Sequence, residues 1–130
     1  MLDDVQRSAV DVWAANAPAL SYARGTALRA LGRDADATVS FTVAAAAGRD
    51  VSAEPARLEL AALALKSGET AKARETLGGS STSPRLEVRL LARALEAKLA
   101  KDLRAVAALA AEARAAHLER IARRIDALGR

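Results

Sequence analysis

The residues of this chain whose types could do chemistry form no recognisable catalytic pattern, and most of its basic residues are arginine. The single histidine, His117, has no neighbouring cysteine, histidine or paired acid with which to form a catalytic or metal site. The chain has no cysteine, and the P-loop, G-x-G-x-x-G and G-x-S-x-G motifs do not occur. The sequence therefore predicts a protein that is not an enzyme and that holds neither a metal nor a cofactor.

The arginines are concentrated towards the C-terminus. Residues 1–84 carry 9 basic and 10 acidic residues, whereas residues 85–130 carry 11 and 6, so the formal net charge of +4 lies in this second part. The candidate basic patch has one group at i, i+4, i+8 spacing and one group near the end of the chain: Arg85, Arg89, Arg93, Arg120, Arg123 and Arg124. Such a face suits phosphates or an acidic protein.

Two features weaken the case for nucleic acid. Acidic residues interleave with these arginines, and no aromatic residue accompanies them to stack on bases. We therefore keep a basic helical module, binding nucleic acid or an acidic regulatory partner through the last two helices, as the alternative function. We do not expect nucleic acid to be the main partner.

The elements that position these residues follow a pattern that is written twice. Three small residues followed by a large apolar one recur at a constant interval of 36 residues: Gly25, Gly32, Ala37 and Phe41, then Ala61, Gly68, Ala73 and Leu77. Each copy is typical of a helix, a turn at the second small residue, and another helix. The small residues allow the paired helices to approach, and Phe41 or Leu77 fills the space beside them.

This pattern resembles the tetratricopeptide repeat (TPR), a helical unit of about 34 residues. The resemblance is carried by Gly25, Leu28, Gly32, Ala37, Phe41 and Ala44, and then by Ala61, Ala64, Gly68, Ala73 and Leu77. The family's Trp and Tyr are absent from both first helices. The resemblance implies an all-α fold, a right-handed α-solenoid of helix-turn-helix units with about seven helices and a long C-terminal helix.

We expect one domain over residues 1–130. Pro18 ends a first helix, Lys101 takes the place of the turn glycine in a third, divergent unit, and neither glycine nor proline interrupts the last helix before Gly129. The serine-rich stretch 78–83 is typical of a flexible loop. The expected parts are an N-terminal cap helix, unit 1, a shortened unit 2, the divergent unit 3 and a C-terminal helix extension: 1–16, 18–51, 53–79, 84–115 and 116–130.

The first helix of each TPR unit lines a groove that takes up a peptide or a helix. Carried over by register, the groove would comprise Tyr22, Thr26, Arg29, Leu58, Ala62, Leu65, Lys66, Leu91, Leu95 and Lys98. Such a surface is apolar with a basic rim and suits an amphipathic helix with acidic flanks. The resemblance therefore implies a scaffold or adaptor that captures a segment of another protein.

The C-terminal residues form an amphipathic edge with 3-4-3 spacing: Leu118, Ile121, Ile125 and Leu128. This candidate assembly edge has two interpretations, which the sequence leaves open. It fills the groove of its own chain or of a dimer mate, or it leaves the groove to a partner. A homodimer through the C-terminal helix is therefore one of the expected assemblies.

The N-terminus is acidic and lacks an apolar segment, and no run of about 18 apolar residues occurs in the chain. We accordingly expect a cytoplasmic protein without membrane insertion.

Overall fold

The computed structural model describes residues 4–48 and 50–130, with side chains described from Ala17 onward. These residues form seven α-helices, one short 3₁₀ helix and no strand, which confirms the all-α prediction. The α-helices are α1 (Asp4–Ala30), α2 (Asp34–Ala45), α3 (Ala53–Lys66), α4 (Thr70–Leu77), α5 (Leu86–Leu99), α6 (Leu103–Ala115) and α7 (Glu119–Leu128), and the 3₁₀ helix is Ser80–Thr82. None of the helices in this described part of the chain is long and apolar enough to cross a membrane.

The chain folds as two compact units, residues 1–57 and residues 58–130, whose boundary falls inside α3. The first unit holds α1, α2 and the start of α3. The second holds the rest of α3 and all of α4 to α7. Each unit has its own buried residues, and the two are described separately below.

In the first unit, α1 and α2 pack through a close contact at Gly25. Phe41 is completely buried, and a Cβ atom on Gly25 would lie 2.7 Å from Phe41 Cε1. The Tyr22 ring packs on the same side chain, with ring centroids 5.7 Å apart. Glycine within a helix costs about 1 kcal/mol relative to alanine. Its presence here is explained by the close approach, as the sequence pattern predicted.

In the second unit, α5 is the central helix and packs against α4, α6, α7 and the 3₁₀ helix. Its apolar residues are buried together with those of the neighbouring helices. The largest fully buried members of this core are Leu90, Leu95, Val88, Val106 and Ile125. Leu58, Ala61 and Leu77 from α3 and α4 belong to the same cluster.

Four helix ends share one turn geometry. The residue after the last turn has a positive φ of 77°, 81°, 59° and 61° at Gly32, Gly68, Lys101 and His117, respectively. The next residue then donates a backbone hydrogen bond to the carbonyl five positions earlier, as from Leu118 N to Ala113 O at 2.8 Å. This is the Schellman arrangement. The predicted glycine turns are confirmed, and Lys101 has the geometry of the glycine that it replaces.

The predicted break at Pro18 is wrong, because α1 runs without interruption from Asp4 to Ala30. Proline has no N–H to donate, so the helix lacks one internal hydrogen bond at this point. Alanine-rich sequence on both sides favours helix strongly enough for it to continue. The expected cap helix 1–16 is thus joined to the first helix of unit 1. Residues 1–3 and the side chains before Ala17 lie outside the described residues.

The predicted long C-terminal helix is also wrong, because it is two helices. α6 ends at Ala115 and α7 begins at Glu119, with the turn at His117 between them. The reason is tertiary. α7 packs back against α5 and α6, which buries Ala122 and Ile125 completely, whereas a straight helix would carry them away from α5.

The serine-rich stretch 78–83 was expected to be flexible, yet it is held against α5. Ser80 and Ser83 are buried. Arg93 Nε donates a hydrogen bond to Ser81 O at 3.1 Å, and Arg89 Nη1 donates to Ser83 O at 3.1 Å. Two arginines of α5 therefore satisfy backbone carbonyls of this loop and fix its path.

Candidate functional site

Three residues of the predicted groove lie in the core of the second unit. Leu58, Leu91 and Leu95 are 2%, 4% and 1% exposed. They belong to the same apolar cluster as Ala122 and Ile125 of α7, which packs on α5. These three leucines are therefore core residues and are not presented to a partner.

The other groove residues are more accessible. In the second unit, Ala62, Leu65 and Lys98 are half-buried and Lys66 is exposed. In the first unit, Tyr22, Thr26 and Arg29 are half-buried. Tyr22 contacts Phe41, and the Thr26 hydroxyl donates to Tyr22 O at 3.0 Å. A groove that includes residues of both units stays a prediction.

The C-terminal edge contacts the core of its own unit. Ile125 is completely buried, and Leu118, Ile121 and Leu128 are partly buried against the same cluster. In this structure the edge thus packs within the second unit, and a groove that it would fill stays a prediction.

A buried ion pair fastens α7 to α3. Glu59 is only 2% exposed, and it accepts two hydrogen bonds from the Arg124 guanidinium, which is 33% exposed. One bond joins Arg124 Nη2 to Glu59 Oε2 at 3.1 Å, and the other joins Nη1 to Oε1. The bidentate geometry is the strong form of this interaction. Removal of either side chain would cost the other this bidentate contact.

The sequence reasoning missed this pair. Arg124 was predicted only as a member of the basic patch, and Glu59 was not predicted as a site residue. The two residues are 65 positions apart, and no local spacing connects them. One sequence feature pointed to burial: the two chain neighbours of Glu59 within α3, Leu58 and Leu60, are both apolar.

The candidate basic patch is largely engaged within the chain. Besides Arg124, the residues Arg89 and Arg93 bond to the 78–83 loop. Arg85 lies 4.0 Å from Glu87. Arg120 and Arg123 are exposed on α7. Two of the six arginines, Arg85 and Arg124, thus lie beside acidic side chains, and a phosphate-binding face formed by all six stays a prediction.

A second ion pair joins α6 to α7 at the surface, between Arg114 and Asp126. The side-chain hydrogen bond to Asp126, together with the charge of that carboxylate, raises the pKa of the Arg114 guanidinium above its ordinary value. Because both side chains are about two-fifths exposed, this pair contributes little to stability compared with a buried one.

An apolar helix face in the first unit stands out from the rest of the described surface. Ala37, Phe41 and Ala44 face α1 and are buried, whereas Val39 and Val43 on the opposite side are 66% and 52% exposed. Helical spacing gathers the exposed uncharged residues into one sector about 100° wide. We call this sector the α2 outer face: Ala35, Val39, Thr42, Val43 and Ala46, all exposed.

α2 has no charged residue apart from Asp34 and Asp36 in its first turn, and an apolar helix face is normally covered by another element. Here one side of α2 packs on α1, and the other lies open to solvent. The signal was present in the sequence, since Val39 and Val43 are four residues apart and lie opposite Ala37 and Phe41.

A metal site and a small-molecule pocket have little support in the described part of the chain. Among the side chains that the structure describes, from Ala17 onward, no group of three or more His, Cys, Asp or Glu residues is arranged to hold a metal ion. A surface depression of about 270 Å³ is lined by Arg74, Leu77, Glu96 and Leu99. Its volume lies just below the usual range of ligand pockets, roughly 300–1,000 Å³.

Comparison of the chain with protein-family models, with curated proteins and with solved structures finds no match in any of the three. The TPR resemblance therefore continues to rest on the residues that carry it.

Proposed function

We propose that this chain is a non-catalytic protein-interaction module, a helical scaffold or adaptor that takes up an amphipathic helix or peptide of another protein. The observation that carries the proposal is the α2 outer face. Val39 and Val43 are β-branched, largely exposed and on one side of a helix whose other side is already packed. Exposed apolar residues that share one face are typical of interaction sites.

The composition of this face defines its partner. The α2 outer face contains no charged residue, so it suits the apolar side of an amphipathic segment, with leucine or isoleucine at i, i+3 and i+4 spacing. The accessible groove residues Tyr22, Thr26 and Arg29 lie in the same unit and form a second, more polar surface for the same task.

We further propose that the chain is a helical-repeat protein of the TPR type. The support comes from the recurrence of one turn geometry at Gly32, Gly68 and Lys101, which occupy corresponding places in the three predicted repeats. Proteins of this architecture bind other proteins through surfaces presented by successive helices.

The test is a comparison of three baits in a nuclease-treated lysate of the source organism. We expect Val39→Asp with Val43→Asp to abolish capture of the partner that wild type retains, because two carboxylates would have to be desolvated against its apolar side. The matched control is Ala107→Asp with Ala111→Asp, which places the same charges at the same spacing on exposed positions of α6. Captured proteins are quantified by mass spectrometry, and circular dichroism checks that each bait is folded.

The result that would overturn the proposal is equal capture by wild type and by the α2 variant. A fourth bait, Arg120→Glu with Arg123→Glu, addresses the alternative. If it alone loses its partner, the exposed arginines of α7 bind an acidic protein, and the α2 outer face is not the site.

A further inference from the structure

The turn between α6 and α7 has a conformation that its own residues do not favour. Ala115, Ala116 and Leu118 flank His117, and all three are good helix formers. His117 nevertheless adopts a left-handed conformation, with φ at 61°, which glycine adopts readily and other residues do not. Local preference therefore favours one continuous helix over residues 103–128, and the observed hairpin exists in spite of it.

What holds the hairpin closed is the packing of α7 itself. Ala122 and Ile125 are completely buried in the core of the second unit. Arg124 pairs with Glu59 on α3, and Asp126 pairs with Arg114 on α6. Of the turn residues 116–118, Leu118 is partly buried against this core, and Ala116 and His117 are exposed. The same contacts can thus be made by α7 of another copy of the chain.

We propose that this chain forms a dimer by exchange of α7. In the dimer, residues 116–118 are helical, α6 and α7 are one helix, and α7 of each copy packs against α5 and pairs with Glu59 of the other. Apart from the partial burial of Leu118, the buried surface and the ion pairs are the same as in the monomer, and the strained turn is removed. Short strained hinges of this kind favour domain exchange. The proposal concerns the second unit alone and does not depend on the α2 outer face.

The experiment changes the preference of the hinge in both directions at one position. His117→Ala favours the continuous helix, whereas His117→Gly favours the left-handed turn. Each full-length variant is cooled slowly at high concentration from near its melting temperature, so that α7 can exchange. Its mass is then measured by light scattering after size exclusion. We expect the dimer dissociation constants of the two variants to differ by about a hundredfold, since each of the two hinges contributes roughly tenfold.

A proline variant tests the straight helix directly. Glu119 is the first residue of α7, where proline is tolerated in the hairpin, but the same proline would interrupt a continuous helix. We expect Glu119→Pro to be monomeric under all conditions. The matched control is Leu103→Pro, which places proline at the first residue of α6 and should leave the dimer in place.

Two results would overturn the proposal. One is a monomeric His117→Ala variant at every concentration after slow cooling. The other is a dimer that His117→Ala, His117→Gly and Glu119→Pro form equally well, which would mean association through another surface. If Glu119→Pro is unfolded by circular dichroism, the pair of His117 variants decides the question by itself.

Discussion

At the scale of single residues, the two copies of the repeat pattern have side chains of different sizes at corresponding positions. In the first copy, Phe41 packs where Gly25 has no side chain. In the second copy, the corresponding residues are Leu77 and Ala61, both buried in the core of the second unit. A larger residue on the second helix is thus matched by a smaller one on the first helix. Side chains within protein cores are close-packed, so such pairs are expected to be interdependent.

We predict that Gly25→Ala destabilises the protein by about 1–2 kcal/mol, because the overpacking against Phe41 exceeds the gain in helix propensity. Combination with Phe41→Leu should recover at least about 1 kcal/mol relative to the sum of the single changes, since it reproduces the Ala61 and Leu77 pair. Urea unfolding of the two single variants and the double variant measures this coupling. Strict additivity would show that the two side chains do not compete for space.

At the scale of helices, the sequence predicts those boundaries that local chemistry decides. α4 begins at Thr70, two residues after the predicted turn at Gly68, and the turns at Gly32 and Gly68 are at the predicted positions. The Asp102 carboxylate caps α6 by accepting a hydrogen bond from Ala105 N at 3.1 Å. Each of these features depends on residues that are close together in the chain.

The boundaries that the sequence could not predict depend on distant residues. The turn at His117 has no local signal, because it results from burial of Ile125 against α5. The same holds for the candidate site. Leu91 and Leu95 were expected in a groove, and the return of α7 that covers α5 was not encoded in their neighbourhood. The exposed pair Val39 and Val43 was predictable from helical spacing, since it needs only the position of Phe41.

The ion pair between Arg124 and Glu59 attaches α7 to α3, and its contribution to stability can be measured. We expect Arg124→Ala to destabilise the protein by about 2–3 kcal/mol, because it leaves the buried Glu59 carboxylate without its bidentate partner. This loss of stability lies at the low end of the range for buried ion pairs because Arg124 is one-third exposed. Arg123→Ala, on the exposed neighbour, should stay within about 0.5 kcal/mol. Urea unfolding gives the free energies, and faster amide exchange confined to residues 119–128 would identify α7 as the affected helix.

An unchanged stability of Arg124→Ala would mean that water replaces the guanidinium at Glu59 without cost. In that case the apolar contacts of α7 and its Arg114–Asp126 pair would be sufficient to hold the helix in place.

At the scale of the whole molecule, the two units present different surfaces. Of the large hydrophobic residues that are exposed in the described part of the chain, all but Leu103 belong to the first unit: Leu20, Leu31, Val39, Val43 and Val51. The second unit carries the excess of positive charge, and many of its arginine side chains have partners within the chain. The proposed binding of a partner and the proposed exchange of α7 thus belong to separate parts of the molecule.

The distribution of aromatic residues has an optical consequence. The single Trp, Tyr and Phe of the chain, at positions 13, 22 and 41, all fall within residues 1–57. Intrinsic fluorescence and near-ultraviolet circular dichroism therefore report on the first unit, while the second unit contributes only to the far-ultraviolet signal. We expect exchange of α7 to leave the fluorescence spectrum unchanged even when light scattering records a doubled mass. A tryptophan introduced into α5 or α7 would give the second unit a signal of its own.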